Sequence, residues 1–169
     1  AFIQPTDRTG EIPQWESSEP YFDDYYAIWD TFRATHPLFA LLKPSRQADI
    51  VRSMIDIYEH EGYMPDGRSG NCNGRVQGGS NSDVLIADAI VKNLPGIDYE
   101  KGLAAMIKNA EVEPENPRNE GRVGVEEYNT KGYISTVTER SGTRTFEYAY
   151  CDYAIATVAK KLGKQDVYE

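Results

Sequence analysis

The chain has 169 residues, with 27 acidic side chains against 18 basic ones and a formal net charge of −9. This length suits one domain with a core of its own, and the negative charge disfavours binding to the phosphates of a nucleic acid. No apolar run approaches the roughly 20 residues that cross a bilayer, and the N-terminus lacks the pattern of a signal peptide. We therefore expect neither a nucleic acid nor a membrane as a partner.

The spacing of apolar residues predicts two helices in the first third of the chain. The first helix carries an aromatic stripe and ends before His36-Pro37; its stripe comprises Phe22, Tyr25, Tyr26, Trp29 and Phe32. The second follows Pro44, takes Ser45 as its N-cap and ends at Gly62. Its apolar face comprises Ile50, Val51, Met54, Ile55 and Tyr58.

Three further helices are predicted downstream. The stretch "DVLIADAIVKNLPG", Asp83 to Gly96, is apolar on nearly all sides until Lys92, which is typical of a helix surrounded by protein. Asp98 caps the next helix, which ends before Pro114. A last helix from about Thr145 to Leu162 offers six residues for burial: Phe146, Tyr150, Tyr153, Ile155, Val158 and Leu162. The pattern predicts an all-α chain, with no sheet of more than two short strands.

Two long connections separate these helices. Residues 113–133 are rich in Pro, Asn, Gly and charge and form an irregular connection of about twenty residues. Residues 62–83 contain six glycines, three asparagines and two arginines. Glycines let a backbone approach a ligand, and polar side chains of this kind meet several hydroxyls at once. An irregular surface loop is the alternative, whereas no phosphate-binding glycine motif is present.

The two cysteines, Cys72 and Cys151, are too far apart for a CxxC site. They are expected to be buried thiols that can pair if the compartment is oxidising. The chain begins at Ala1 rather than Met and ends where a new helix begins after Gly163. Both ends are typical of a segment cut from a longer protein.

Three stretches carry a resemblance to a known family. They are "DRTGEIPQWESSEPYFDDYYAIWDTFR", "GYMPDGRSGNCNGRVQGGSNSDVLIADA", and "GYIS" followed by "TFEYAYCDYAIATVAKKLG". In this order they resemble the catalytic domain of glycoside hydrolase family 92, across almost the whole chain. The blocks "WDTFR" and "EYAYCDYAIA" are specific, because several uncommon residues occur together in each. One departure is Cys151, which stands where many members have an acidic residue.

The resemblance implies a calcium-dependent exo-α-mannosidase that inverts configuration, with α-mannoside glycans as substrates, an α-1,2 linkage among them, and a secreted or extracellular location. It implies that residues 1–169 are a single segment, incomplete at both ends, of an (α/α)6 toroid: roughly half of the ring, built of helical hairpins with long loops. The remainder of the same polypeptide is then its partner. The general acid, the base and the calcium ligands are expected outside this segment, so no residue here is assigned a catalytic or metal-binding role.

In such a toroid, Trp29-Asp30 and the connection 62–83 approach one another on the substrate face. The residues expected to bind substrate are Trp29, Asp30, Arg33, Arg68, Arg75, Gln77 and Asn81. The alternative for Asp30 and Arg33 is a surface ion pair, and for the residues of the connection it is a role in pinning the backbone. Asp88 and Asp152 are expected to accept structural hydrogen bonds in the core.

A second function class stays open from the sequence. A non-catalytic helical module with an acidic, aromatic face would bind carbohydrate or protein partners without hydrolysing them. In either case the 169-residue segment alone is expected to be inactive, and poorly folded or self-associating, because half a toroid leaves apolar helix surfaces without neighbours.

Overall fold

Two small antiparallel sheets accompany the helices. The computed structural model of the chain describes residues 2–3, 15–74 and 76–168, without the side chains of residues 2, 3 and 26. Strand β1 (Phe2–Ile3) pairs with β2 (Glu16–Ser17). Strands β3 (Tyr26–Ala27), β4 (Gly67–Ser69) and β5 (Cys72–Asn73) form a three-stranded sheet in that order. The prediction of no sheet larger than two strands is therefore wrong.

Most of the described chain is nevertheless helical, which confirms the predicted class. The helices are α1 (Ile28–Thr31), α2 (Thr35–Leu42), α3 (Pro44–Glu61), α4 (Ser82–Val91), α5 (Tyr99–Glu111), α6 (Val125–Lys131), α7 (Ser141–Leu162) and α8 (Gln165–Tyr168). Helix α4 packs along α7 and also contacts α2, α3 and α5. The core therefore centres on α4.

The predicted aromatic helix before His36 is wrong. The backbone N–H of Tyr25 donates to the carbonyl of Arg68 at 2.9 Å, and that of Ile28 donates to the carbonyl of Asp66 at 3.0 Å. Strand pairing across about forty residues therefore replaces the local hydrogen bonds that a helix would make. Pro37 lies in the first turn of α2, where a missing N–H costs nothing. Helix α2 therefore begins at about the position where the predicted first helix was expected to end.

Helices α3, α4 and α5 confirm their predictions. Gly62 ends α3 in a left-handed conformation with φ of 89°, which glycine adopts at little cost. The N-cap of α3 is Lys43 rather than Ser45, and Pro44 occupies the first turn. The carboxylate of Asp98 caps α5 by accepting a 3.0 Å hydrogen bond from the backbone N–H of Lys101.

The structure adds a helix inside the connection 113–133. Helix α6 begins after Gly124, whose φ is 71°, and the carboxylate of a residue earlier in the connection caps it. The two oxygens of Glu113 accept hydrogen bonds from the backbone N–H groups of Gly124 and Val125 at 3.0 and 3.2 Å. The prediction of an irregular connection failed because this seven-residue helix is fixed by contacts from outside it.

Helix α7 is longer than predicted, and it buries a different face. Ile155 and Val158 are buried as expected, together with Tyr148 and Cys151. Three of the residues predicted for burial are instead exposed: Phe146 at 80%, Tyr150 at 48% and Tyr153 at 70%. Together these three side chains form what we call the α7 aromatic face. Within the described residues, no helix is both long enough and apolar enough to span a membrane.

The two cysteines lie in different environments and are not joined to each other. Cys72 is exposed in β5, so only the burial of Cys151 was predicted correctly. The Sγ atom of Cys151 lies 3.5 Å from the carbonyl oxygen of Ser80, and burial raises the pKa of this thiol far above its usual range. Cys151 is therefore a packed, protonated thiol between α7 and the connection 62–83.

Candidate functional site

The Trp29-Asp30 pair lies beside the connection 62–83, as the family resemblance implies. Strand β3 runs directly into α1, and Tyr26 and Ala27 pair with Arg68 and Gly67 of β4. The hydrogen bond from the N–H of Ile28 to the carbonyl of Asp66 continues this contact to the start of α1. Two segments that are distant in sequence are therefore adjacent in the fold.

The three predicted residues near α1 differ in exposure and contacts. Trp29 is half-buried, whereas Asp30 and Arg33 are exposed. The guanidinium of Arg33 donates to the carbonyl oxygen of Trp29 at 3.2 Å and lies 4.8 Å from the ring centre of Phe32. Arg33 thus packs on its own turn of chain, while the Asp30 carboxylate is accessible to a ligand.

Arg68 is buried inside the three-stranded sheet region rather than exposed on the loop. Its guanidinium donates to both carboxylate oxygens of Glu61, at 2.6 and 3.1 Å, and to Oδ1 of Asn73 at 2.6 Å. It also lies 5.9 Å from the ring centre of Trp15. These contacts hold β4 and β5 to the end of α3; a role of Arg68 in substrate binding stays a prediction.

The remaining predicted residues lie on the second half of the connection. The guanidinium of Arg140 donates to both the backbone carbonyl and the side-chain oxygen of Gln77. Asn81 is buried, and its N–H donates to Oδ1 of Asp66 at 2.9 Å, while its own side-chain oxygen has no hydrogen-bond partner. Arg75 lies outside the described residues. Substrate contact by Gln77 or Asn81 also stays a prediction.

The paired glycines Gly78 and Gly79 are required by close packing against α7. A Cβ atom on Gly79 would lie 2.9 Å from Cβ of Glu147 and 3.0 Å from Sγ of Cys151. One on Gly78 would lie 2.9 Å from the methyl group of Thr143. The glycines in this part of the connection therefore allow the backbone to lie close to helix α7, and not only close to a ligand.

Replacing Gly79 with alanine is expected to destabilise the protein by about 1–3 kcal/mol, because backbone or helix α7 must shift to admit the methyl group. Gly142, in the first turn of α7, is the matched control, since nothing lies within 4 Å of a Cβ atom there. Gly142→Ala should stabilise by about 0.5–1 kcal/mol through helix propensity. Thermal unfolding of both variants checks the pair, and equal shifts would contradict the packing argument.

A buried ionic group anchors the end of the same segment. We call it the Arg122 network; its members are Ser80, Asp83, Asn109, Arg122 and Asp152. Arg122 donates from Nε to Ser80 Oγ at 3.0 Å, from Nη1 to Asp152 at 2.6 Å and from Nη2 to Asp83 at 3.3 Å. Asp83 also accepts from the Ser80 hydroxyl and, at 2.8 Å, from Asn109.

Two carboxyl groups around this segment have strongly raised pKa values. Burial raises the pKa of Asp83 to about 6, although the charge of Arg122 opposes the rise. Burial raises the pKa of Asp66 further, to about 8, helped by the charges of Asp83 and Glu147 and opposed by backbone N–H groups. Asp66 is therefore mostly protonated near neutral pH, whereas Asp83 is mostly ionised beside its arginine.

The sequence predictions missed these anchors. Asp83 and Arg122 are buried and paired across 39 positions, and no local pattern indicates such a contact. Asp88 and Asp152 were both predicted to accept hydrogen bonds in the core. Asp152 accepts a hydrogen bond from the buried side chain of Arg122. Asp88 instead pairs with Lys92 at the surface, at 2.8 Å. The prediction for Asp88 is therefore wrong, because its helix turns that position outward.

The family resemblance implies a calcium ion in the whole protein. Among the residues that the structure describes, no group of three or more His, Cys, Asp or Glu side chains is arranged to hold a metal ion. The described part of the chain therefore does not by itself fit a calcium site of clustered carboxylates.

Comparison with known proteins identifies the family. The model of the glycosyl hydrolase family 92 catalytic domain matches residues 1–169. The chain belongs to glycoside hydrolase family 92. A curated relative, described as an uncharacterized secreted glycosidase of Arthroderma benhamiae, is 38% identical over 175 aligned positions, which cover 98% of this chain and 19% of the relative.

Solved structures of the same family share the fold of this chain. A family 92 inverting mannosidase from Bacteroides thetaiotaomicron is 39% identical, with a TM-score of 0.79 over 84% of this chain and 19% of its own. A family 92 α-mannosidase from the same bacterium is 34% identical, with a TM-score of 0.75 in its complex with mannoimidazole, over 90% of this chain and 20% of its own. The chain thus spans about a fifth of the length of these family 92 relatives.

Proposed function

We propose that the whole protein is a secreted exo-α-mannosidase that hydrolyses terminal α-mannosyl linkages of glycans with inversion of configuration. The observation that carries the proposal is family 92 membership over all of residues 1–169, together with 39% identity to an inverting mannosidase. The mannoimidazole complex of a second relative supports a mannosyl substrate, and the secreted description of the fungal relative supports the location. An α-1,2 linkage is the specific substrate that we propose.

The contribution of this chain is a wall of the sugar-binding site. The Asp30 carboxylate is exposed and accepts hydrogen bonds, which sugar hydroxyls donate. The half-buried ring of Trp29 next to it offers a face on which a sugar ring can stack. The connection 62–83, held beside α1 through β4, completes this wall.

Inverting hydrolysis needs two opposed carboxyl groups roughly 6.5–9.5 Å apart: one protonates the glycosidic oxygen and the other activates a water molecule. We propose that the remainder of the polypeptide supplies both groups and the calcium ligands. Calcium would supply a hard cation that binds sugar hydroxyls and helps distort the ring. The side chains of this chain bind and orient the mannosyl unit in that arrangement.

In this proposal the remainder of the polypeptide also covers an exposed surface of this chain. The α7 aromatic face, defined by Phe146, Tyr150 and Tyr153, exposes large apolar side chains that a soluble monomer rarely leaves together. The neighbouring helices of an (α/α)6 toroid would bury it. Without them, the isolated 169-residue chain is expected to self-associate, which size-exclusion chromatography with light scattering detects.

The proposed function is tested with the full-length protein and an aryl α-mannoside in the presence of calcium. Proton NMR should show β-mannose as the first product, since inversion reverses the anomeric configuration. The 169-residue chain alone should release no mannose. Binding of a mannoside without any hydrolysis by the full-length protein would favour the non-catalytic carbohydrate-binding module instead, and release of α-mannose first would contradict inversion.

Asp30→Asn in the full-length protein is expected to lower kcat/KM for the α-mannoside by at least tenfold, because a charged acceptor of a sugar hydroxyl contributes about 1.5–3 kcal/mol. Asp88→Asn is the matched control, since Asp88 is also a helical aspartate and pairs with Lys92 at the surface. Its kcat/KM should stay within twofold. If both variants behave alike, Asp30 is not a sugar contact.

A further inference from the structure

Asp66 contacts both halves of the proposed sugar-binding wall. Its backbone carbonyl accepts the N–H of Ile28 at 3.0 Å, one residue before Trp29. Its carboxylate Oδ1 accepts the N–H of Asn81 at 2.9 Å, at the end of the segment that contains Gln77. One residue therefore joins the start of α1 to the start of α4.

The two contacts are of different kinds, and only one depends on the side chain. The carbonyl contact to Ile28 belongs to the backbone and persists in any substitution that preserves the chain path. The contact to Asn81 needs an acceptor oxygen on the side chain of residue 66. Since Asp66 is buried, with 2% of its surface exposed, water cannot take over that role.

The surroundings of the carboxyl group fix it in place. Asp83 begins α4 just beyond Asn81, and Glu147 and Cys151 face the same region from α7, where Gly78 and Gly79 pack. Arg122 donates to Ser80 and Asp83, which follow Gly79 in the chain. The N–H of Asn81 donates to Oδ1 of Asp66, and the backbone N–H of Gln77 also stabilises the charged form of this carboxyl group, so Asp66 sets the position of the 77–81 segment.

We infer that Asp66 is a positioning residue that holds the Gln77-to-Asn81 segment in register with Trp29-Asp30, so that the two form one mannoside-binding wall. This inference rests on the proposed function. It assigns no contact between Asp66 and substrate, because the carboxyl group is enclosed by protein.

The test compares three variants of the full-length protein. Asp66→Ala removes the acceptor and should lower kcat/KM for an aryl α-mannoside at least tenfold, while Asp66→Asn keeps an acceptor oxygen and should recover at least threefold of that loss. Gln47→Ala is the matched control for general destabilisation: Gln47 is equally buried and loses one hydrogen bond, but its partner is His36, which lies outside both halves of the wall. Its kcat/KM should stay within threefold of wild type.

Hydrogen exchange followed by mass spectrometry supplies a readout that does not depend on hydrolysis. In Asp66→Ala, peptides covering residues 76–83 should exchange at least tenfold faster than in wild type, whereas Gln47→Ala should leave them within threefold. A wild-type protein without mannosidase activity would overturn the proposed function, and the exchange result would still decide the positioning role. Equal losses in Asp66→Ala and Gln47→Ala, or no rescue by Asp66→Asn, would overturn the inference.

Discussion

Replacing Arg122 with leucine is expected to destabilise the protein by about 3–5 kcal/mol, which is the usual result of removing one partner from a buried ion pair. The side chain of Arg122 is 1% exposed, and its guanidinium donates to Ser80, Asp83 and Asp152. Leucine would leave the Asp83 carboxylate, with no exposed surface, without its cation. A loss of this size is a large fraction of the total stability of an ordinary domain.

The same substitution at a surface pair provides the control. Arg52 pairs with Glu19 at 2.8 Å, but about a third of each side chain is exposed. Arg52→Leu should therefore cost at most about 1 kcal/mol. Urea unfolding of both variants, followed by the helical circular dichroism signal, measures the difference. Similar losses in the two variants would show that burial does not determine how much the Arg122 network contributes to the free energy of unfolding.

A double substitution separates the loss of attraction from the penalty of an unpaired charge. In Asp83→Leu with Arg122→Leu, no charge stays buried between these two positions, so the double variant should be less unstable than the sum of the two single variants. A strictly additive result would mean that Asp83 and Arg122 do not interact through their charges.

The sequence predicted the helices whose stability is local and whose buried face is continuous. Helices α3, α4 and α5 have apolar residues at helical spacing and clear end signals, such as Gly62 and Asp98. The start of α2 and the strand β3 were missed, because the chain around Tyr26 makes its hydrogen bonds with Arg68 in a distant segment. Local spacing carries no information about that partner.

The face of α7 shows a second limit. Tyr148 and Cys151 are buried, whereas Tyr153 is exposed. The residue types alone do not distinguish them, because either tyrosine would suit a core. Which stripe is buried depends on where α4 lies, and apolar residues occur on both sides of α7. The same limit applies to the site: the buried anchors Asp66 and Arg122 depend on contacts across the fold, which local spacing does not indicate.

The stability of the protein is expected to fall as the pH rises from 6 to 8, and Asp66 is the group responsible. Burial raises its pKa from 3.8 to about 8. In the folded state the carboxyl group therefore keeps its proton up to about pH 8, whereas in the unfolded chain it loses that proton near pH 4. Between these values the folded state binds one more proton, so stability decreases with increasing pH and levels off above pH 8.

The interval from pH 6 to 8 separates Asp66 from Asp83, the other carboxyl group of this segment whose pKa is strongly raised. The pKa of Asp83 is raised only to about 6, so its contribution in the same direction is largely complete at the lower end of the interval. Burial lowers the pKa of His36, but its effect on stability is the same in the wild type and in any variant at residue 66. One excess proton corresponds to about 1.4 kcal/mol per pH unit, which gives a loss of about 2 kcal/mol from pH 6 to 8.

Asp66→Asn tests this directly, because the amide has the shape of the protonated acid and cannot ionise. Urea unfolding at pH 6, 7 and 8 should show the wild type losing about 2 kcal/mol relative to the variant over the interval. The variant should then be the more stable protein at pH 8, and the difference should shrink as the pH falls toward 4, where the Asp66 carboxyl group is protonated in the folded and the unfolded state alike. Parallel pH profiles for the two proteins would mean that the Asp66 carboxyl group is already ionised in the folded state at pH 6.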